Sequence, residues 1–347
     1  MASGASSDAI KPVVIVGAGL AGWTLAREVR SRDPARAVVI ICADSGDFYS
    51  KPMLSNALAL GKSPAQLIQT EASIQARKIG VELRAHAQVD SIDLARQVIQ
   101  TSVGEIQFGE LVLATGADPI RLPIEGVEHA FSVNDWQDYA AFRDRLDSIS
   151  AARVAIIGGG LIGSEFANDL AASGHSVQVI DPGEWPVSQL LDAANGHALA
   201  GALRGLGVAW HWGDVVTSIR RLDTGAGYAL ALRSGQAIEA DVVLSAVGLR
   251  PRTALAQAAG LQVQRGIVVN AWGQTSHEHV WALGDCAAYE SAANADGSPR
   301  TLPFVLPIMA ASKAIASSLT GSPTQIVFGP MKVRVKTPAF PVSVDAI

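Results

Sequence analysis

A short apolar run followed by a glycine-rich turn occurs twice in this chain, and this pattern constrains the fold more than any other feature. The first copy runs from Val13–Val16 into Gly17, Gly19 and Gly22, and the second from Val154–Ile157 into Gly158, Gly160 and Gly163. Apolar residues spaced by four follow each turn, which indicates a helix, and another apolar run follows each helix. Each copy therefore predicts a strand–turn–helix–strand unit whose strands are buried in a parallel sheet.

The two copies predict two domains of the same class. A chain of 347 residues is too long for one ordinary core. We expect an α/β fold with two Rossmann-like, three-layer ββα dinucleotide-binding domains, one inserted in the other. The first domain would comprise residues 10–118 and 244–324, and the inserted domain residues 119–243. Residues 325–347, where Val alternates with Lys or Arg, would begin a small C-terminal β-containing segment.

The glycine spacing indicates dinucleotide chemistry. A pyrophosphate binds against backbone N–H groups at a helix N-terminus, where the helix dipole favours negative charge. The turn needs one glycine for its tight bend, one where the phosphate approaches and one where the helix meets the strand. A single G-x-G-x-x-G is a weak signal, but two copies in strand–turn–helix context are a strong one.

Acidic residues follow the strands that complete each unit. Asp44 and Asp181 can each bind a ribose hydroxyl, although either could be an ordinary surface aspartate. The Asp181 carboxylate would repel a 2′-phosphate and no Arg follows it directly, so NADH is favoured over NADPH. Asp285 follows a later strand and could accept hydrogen bonds from ribityl hydroxyls or act as a helix N-cap.

Composition excludes several other classes of protein. The net charge is −5, and the clusters Arg27–Arg36 and Arg250–Arg252 are more typical of solvated surface than of a nucleic-acid site. Two distant cysteines suggest a cytoplasmic protein without disulfides. Met1–Ile10 lacks the features of a secretory signal, and the apolar stretch Leu302–Ala311 is too short to span a membrane. Nothing in the pattern requires a metal ion.

Several longer segments resemble the two-dinucleotide-domain flavin reductases of the glutathione-reductase superfamily, in particular the rubredoxin–NAD reductases. The segments are IVGAGLAG (15–22), YSKPMLS (49–55), LVLATGADPIR (111–121), GGGLIGSEFANDL (158–170), SAVGLRPRT (245–253), ALGDCA (282–287) and VKTPAFP (335–341). YSKPMLS and VKTPA are the specific ones, since the glycine turns are shared by the whole superfamily. The resemblance implies FAD in the first domain and NADH in the inserted domain.

The resemblance also implies residue roles. Lys51 and Glu165 would form the catalytic pair that stabilises negative charge on the reduced flavin, and Lys336 would approach the ring from the C-terminal segment. Val305 would contact the ring, and Val89 with Gln88 the adenine. Further cofactor contacts are implied at Ile15, Val16, Ala18, Ala114, Thr115, Gly116 and Gly248. Alternatively, Lys51 and Glu165 are a loop lysine and a helix glutamate with other neighbours, and both valines are plain core residues.

The implied electron acceptor is rubredoxin or a similar small acidic iron protein, which calls for a basic docking patch. A ferredoxin or a flavorubredoxin could be served by the same architecture. The family continues past VKTPAFP into a small C-terminal domain, of which only the start is expected here. A disulfide reductase or peroxide-type oxidase would need a cysteine after Lys51, where Ser55 and Asn56 stand. A dinucleotide-bound sensor without turnover remains open.

Overall fold

The structure is a computed structural model that describes residues 11–345. The expectation about Met1–Ile10 lies outside these residues. The chain divides into two compact units. The first comprises the residues up to Tyr49 together with Gln69–Ala117 and Pro251–Phe328, and the second comprises Ser50–Ile68, Asp118–Arg250 and the residues from Gly329.

Helices α1–α7 are, in chain order, Leu20–Arg32, Ala72–Ile79, Trp136–Asp147, Leu161–Ala172, Ala193–Gly205, Ala254–Ala258 and Val305–Leu319. Short 3-10 helices are formed by Lys51–Asn56, Pro64–Leu67, Val127–His129, Gly284–Cys286 and Glu290–Ala292.

Strands β1–β13 are Val13–Val16, Val38–Ile41, Phe48–Tyr49, Ile68–Thr70, Glu82–Arg84, Val89–Asp93, Val98–Thr101, Gly104–Gln107, Glu110–Leu113, Ala117–Pro119, Ala130–Phe131, Arg153–Ile157 and Ser176–Asp181. Strands β14–β25 are Ala209–Trp212, Val216–Arg221, Tyr228–Leu232, Ala237–Ala240, Val242–Ser245, Leu249–Pro251, Ile267–Val269, Val280–Ala282, Ala287–Tyr289, Arg300–Thr301, Lys332–Val335 and Val342–Asp345.

The first unit is built on a parallel sheet with the strand order β21-β9-β1-β2-β5. Strands β1 and β2 are buried along their whole length, which explains why they consist of continuous runs of Val and Ile. Helices α1 and α7 pack against each other, and the antiparallel sheet β6-β7-β8 belongs to the same unit. Because the five strands are parallel, their carboxyl ends lie at one edge of the sheet, where ligands bind in such folds.

The second unit repeats this plan. Its parallel sheet has the order β11-β18-β12-β13-β14, and an antiparallel sheet β15-β16-β17 belongs to the same unit. The predicted α/β fold with two Rossmann-like domains is therefore confirmed. The predicted β structure near the C-terminus forms as the antiparallel pair β24–β25, with Val335 opposite Val342.

Candidate functional site

The first glycine turn joins β1 to α1 at the carboxyl edge of its sheet. The Gly17 amide donates to the Ile41 carbonyl over 2.7 Å. Gly17 has φ +116°, and a Cβ there would lie 2.2 Å from the Ala114 carbonyl oxygen. A Cβ at Gly22 would lie 1.9 Å from the Gly17 carbonyl oxygen, so helix and turn could not pack as closely. By contrast, a Cβ at Gly19 would meet no protein atom within 4 Å.

The second glycine turn, between β12 and α4, has the same construction. Gly158 has φ +102°, and a Cβ there would lie 2.7 Å from the Ala246 carbonyl oxygen. A Cβ at Gly163 would lie 1.9 Å from the Gly158 carbonyl oxygen, whereas one at Gly160 would meet nothing within 4 Å. The protein itself thus requires the first and third glycines of each turn, and the space beside the second is open.

Both helices that follow the turns are capped at the N-terminus by a glycine. Gly19 and Gly160 are the N-cap residues of α1 and α4, and neither cap has a side-chain hydrogen bond. Neither helix carries an acidic residue in its first turn. A helix N-terminus of this kind presents N–H groups and the positive end of the dipole to an anion. Each turn therefore fits the pyrophosphate of a dinucleotide.

The two aspartates predicted to bind ribose occupy different positions relative to their turns. The Gly158 amide donates to the Ile180 carbonyl, as Gly17 does to that of Ile41, so these isoleucines are equivalent. The residue after Ile180 is Asp181, whose carboxylate accepts from the Gly159 amide at 2.6 Å and from the Gly183 amide at 2.7 Å. The ribose-binding role of Asp181 stays a prediction.

In the first unit the position equivalent to Asp181 is held by Cys42. Asp44 lies two residues further on, is exposed, and accepts a hydrogen bond from the Gly46 amide. Burial raises the pKa of the Cys42 thiol to about 12, with the neighbouring Asp44 adding to the rise. Because Asp44 lies two residues beyond Cys42, it would bind a ribose from the turn after β2 and not from the end of the strand. This role also stays a prediction.

Other predicted cofactor residues of the first unit follow strands at the same sheet edge. Ala114, Thr115 and Gly116 follow β9, and the Thr115 hydroxyl donates to the Arg252 carbonyl over 3.0 Å. Gly284 has φ +79°, and a Cβ added there would lie 3.1 Å from the Ala21 side chain. The turn that carries Asp285 therefore lies against α1. Cys286 is fully buried there, and burial raises the pKa of its thiol.

The remaining predicted cofactor residues differ in their exposure. Ile15 and Val16 are buried in β1, and Ala18 is buried in the turn that follows. Val89 is half-buried at the start of β6, beside exposed Gln88. Gly248 follows β18 with φ +102°, and Val305 is exposed as the first residue of α7. The exposure of Val305 at a helix N-terminus argues against a plain core residue there. The cofactor contacts of all of them stay predictions.

An ionic cluster surrounds the buried Glu165 carboxylate in the second unit. Glu165 lies on α4 with no exposed surface, and its Oε2 accepts from the Ser55 hydroxyl at 2.6 Å and from Lys336 Nζ at 2.5 Å. Its Oε1 accepts from the Lys336 amide at 3.0 Å. Lys336 Nζ also donates to Asn56 Oδ1 and to the Pro52 carbonyl. Three elements distant in sequence thus converge on one carboxylate.

The structure brings two of the three predicted flavin-contacting side chains, Glu165 and Lys336, into direct contact. Lys51 begins the 3-10 helix that also supplies Ser55. The pKa of Asp138 is raised chiefly by burial, and the nearby charge of Lys51 acts against that rise. The proposed pairing of Lys51 with Glu165 stays a prediction.

Sequence reasoning missed the polar residues that hold this cluster. Asn168 Oδ1 accepts from the Ala339 amide at 3.1 Å, and the Asp169 carboxylate accepts from the amides of Leu58 and Ala59. Glu165, Asn168 and Asp169 lie at i, i+3 and i+4, so they share one face of α4. That spacing was visible in the sequence, but it resembles an ordinary solvated helix face.

Among residues 11–345, no helix is both long enough and apolar enough to cross a lipid bilayer. No three side chains of His, Cys, Asp or Glu in the same range are grouped so that they could hold a metal ion.

Comparisons with known proteins agree with this geometry. The family described as pyridine nucleotide-disulphide oxidoreductase matches residues 11–301. The chain is 40% identical over 335 residues to a rubredoxin-NAD(+) reductase of Alcanivorax borkumensis, covering 96% of this chain and 85% of that protein. It is 38% identical over 345 residues to a nitric oxide reductase FlRd-NAD(+) reductase of Aeromonas hydrophila, covering 98% of this chain and 86% of that protein.

Among solved structures, the chain is similar to that of the covalent putidaredoxin reductase–putidaredoxin complex. The TM-score is 0.86 at 27% identity, with 94% of this chain and 79% of that chain covered. A water-forming NADH oxidase from Lactobacillus brevis has a TM-score of 0.84 at 20% identity, with 94% of this chain and 73% of that chain covered, and it shares the fold.

Proposed function

This chain belongs to the pyridine nucleotide-disulphide oxidoreductase family and is an oxidoreductase that uses FAD and NADH, and from that premise we propose that its electron acceptor is a small iron protein, rubredoxin first. The support comes from the relatives named rubredoxin-NAD(+) reductase, which match across nearly the whole chain. A flavorubredoxin is the second candidate, because relatives named FlRd-NAD(+) reductase match almost as well. A ferredoxin is a further alternative.

The pair of glycine turns with open second glycines supports the use of two dinucleotides. Gly17–Gly22 would hold the pyrophosphate of the resident FAD, and Gly158–Gly163 that of NADH, each against a helix N-terminus. When bound, FAD supplies the chemistry that joins a two-electron hydride donor to a one-electron acceptor. The protein positions the two dinucleotides and supplies charge.

The preference for NADH follows from Asp181. Its carboxylate is fixed at the end of β13 by the amides of Gly159 and Gly183. A fixed negative charge beside the ribose can accept bonds from its hydroxyls and repels a 2′-phosphate. Pro182 and Gly183 supply no cation that would offset this repulsion.

Glu165, Lys336 and Lys51 would act on the flavin. The Lys336 ammonium is held by Glu165, Ser55 and Asn56, so its position is fixed without any ligand. Together with Lys51, it would favour the negative charge that the ring gains on reduction. Glu165 is the fully buried charge of this pair, and the Lys336 ammonium offsets it, because an unpaired buried carboxylate would be costly.

A disulfide reductase is disfavoured by the environment of both cysteines. The thiolate is the reactive form of cysteine, and burial raises the pKa of both Cys42 and Cys286, so both remain thiols at neutral pH. Ser55, at the place where such a reductase needs a cysteine, instead donates to Glu165. The small number of cysteines fits our proposal that the protein works in the cytoplasm.

The test compares acceptors and donors side by side. The FAD-loaded protein is mixed with NADH or NADPH and with purified rubredoxin or a ferredoxin, at two salt concentrations. We expect reduction with NADH far faster than with NADPH, a preference for rubredoxin, and a rate that falls as salt rises, because the acidic partner is steered by charge. Equal rates with both iron proteins, insensitive to salt, would contradict rubredoxin as the partner. No oxidation of NADH with any acceptor would favour the sensor alternative.

A further inference from the structure

Helix α4 has a polar face that is buried. Ser164, Glu165, Asn168 and Asp169 each expose 2% or less of their surface. Burying a polar side chain costs free energy unless it is hydrogen-bonded, and burying a charge costs more. The hydrogen-bond partners of these side chains therefore show which segments of the chain this face holds. Glu165 and Asn168 hold the C-terminal segment around Lys336, as described above.

Asp169 has a different partner, the chain that follows the Lys51–Asn56 helix. Its Oδ2 accepts from the Leu58 amide at 3.1 Å and its Oδ1 from the Ala59 amide at 2.8 Å. Both oxygens of the carboxylate are thus used by backbone donors. Because an ionised carboxylate only accepts hydrogen bonds, it matches two adjacent N–H groups better than any neutral side chain.

Charged and titratable groups surround Asp169 on several elements. Arg143 and Tyr139 face it from α3, Lys336 from the C-terminal segment, and Glu165 lies one turn earlier on α4 itself. Arg143 also donates to the Lys62 carbonyl, so α3 holds the same segment further along. Burial raises the pKa of Asp169 to about 6. The hydrogen bonds from the Ala59 and Leu58 amides and the positive charges of Arg143 and Lys336 oppose this rise.

We propose that Asp169 is a positioning residue for the reaction proposed above: its ionised carboxylate anchors residues 51–59 on α4, so that Lys51 and the Ser55–Lys336 contacts keep their places. This inference rests on the proposed function. The same helix begins at the glycine turn for NADH, so one rigid element carries both that turn and the anchor of Lys51. Protonation of Asp169 weakens the anchor and slows flavin reduction.

The test uses the FAD-loaded protein with Asp169 replaced by Asn, which keeps the shape but places an amide N–H₂ against a backbone donor. Stopped-flow mixing with NADH measures flavin reduction between pH 5 and pH 8. In the wild type we expect a fast rate above about pH 6 and a slower rate below it. In Asp169→Asn we expect a rate roughly tenfold lower, equivalent to about 1.4 kcal/mol, without that inflection. The NADH concentration at half-maximal rate should not change, because the glycine turn is untouched.

The matched control is Asp144→Asn, an exposed aspartate on the neighbouring helix α3, which should behave as the wild type. Arg143→Gln removes a charge that lowers the pKa of Asp169, so the inflection should move to higher pH. If Asp169→Asn fails to fold, the pH dependence of flavin reduction in the wild type and in Arg143→Gln still tests the positioning role of Asp169.

Three results would overturn the positioning role. They are a wild-type rate without an inflection between pH 5 and pH 7, an inflection that Arg143→Gln leaves in place, and an Asp169→Asn protein that loses FAD or thermal stability while its rate per bound FAD is unchanged. Failure of the proposed function looks different, because the wild-type flavin would then not be reduced by NADH at any pH.

Discussion

Replacing Gly160 by Ala separates what the fold needs from what the ligand needs. Gly160 has φ −67° and ψ −169°, an extended conformation that alanine adopts, and its Cβ would meet no protein atom within 4 Å. At such a site Gly→Ala changes the free energy of unfolding by between 0 and about +1 kcal/mol, because the unfolded chain loses freedom. The folded protein should therefore be as stable as the wild type or slightly more stable.

The same methyl group should impair NADH binding. It would occupy the open space beside the N-terminus of α4, where the pyrophosphate is proposed to lie. Forcing an extra methyl into a filled space costs roughly 1–3 kcal/mol. That cost corresponds to a dissociation constant roughly 5- to 150-fold higher. The assay is stopped-flow flavin reduction over a range of NADH concentrations, with thermal unfolding measured on the same preparation.

Substitutions of two other glycines serve as comparisons for Gly160→Ala. In Gly163→Ala the new Cβ would lie 1.9 Å from the Gly158 carbonyl oxygen, a backbone atom that cannot move aside freely. We expect at least about 2–3 kcal/mol of destabilisation there. Gly201 lies in α5, and an added Cβ would meet nothing within 4 Å. Gly201→Ala should therefore raise the free energy of unfolding by up to about 1 kcal/mol through helix propensity, without changing the affinity for NADH. Unchanged NADH affinity in a stable Gly160→Ala protein would refute the assignment of the open space to the phosphate.

Three further predictions follow from the described contacts. In Gly19→Ala the protein should fold but bind FAD weakly, which the flavin absorbance per polypeptide measures; full occupancy would argue against FAD at that turn. Because the folded protein holds the Asp169 proton more tightly than the unfolded chain, the free energy of unfolding should fall by up to roughly 3 kcal/mol from this group between pH 4 and pH 7. Asp169→Asn should lack that component in urea titrations. Replacing Cys42 or Cys286 by Ala should leave turnover with NADH intact, and loss of turnover in a folded variant would revive the disulfide mechanism.

The sequence predicted most of what depends on local patterns. Runs such as Val13–Val16 are apolar at every position because both faces of a parallel strand are buried. The glycines of each turn also lie close together in the sequence, within Gly17–Gly22 and Gly158–Gly163. Those signals sit within short windows of the chain. The two sheets and both turns could therefore be found without a structure.

The contacts of Glu165 and Asp169 could not be found in that way. Ser55 is 110 residues from Glu165, and Lys336 is 171 residues from it, so no periodicity connects them. The difference between Asp44 and Asp181 was also hidden, because it depends on where each strand ends and on which carbonyl each turn glycine contacts. Strand register and burial of polar groups are tertiary properties, and a pattern of residue types does not report them.

The wide separation of Glu165 from Lys336 affects how the second unit folds during synthesis. A chain grows at about 5–20 residues per second, so the 171 residues between them take roughly 10–35 s to emerge. Over that interval Glu165 has Ser55 available but not its ammonium partner, and the amide of Ala339 has not yet reached Asn168. The parallel sheet can assemble earlier, whereas α4 reaches its final packing only after residues 336–339 have left the ribosome.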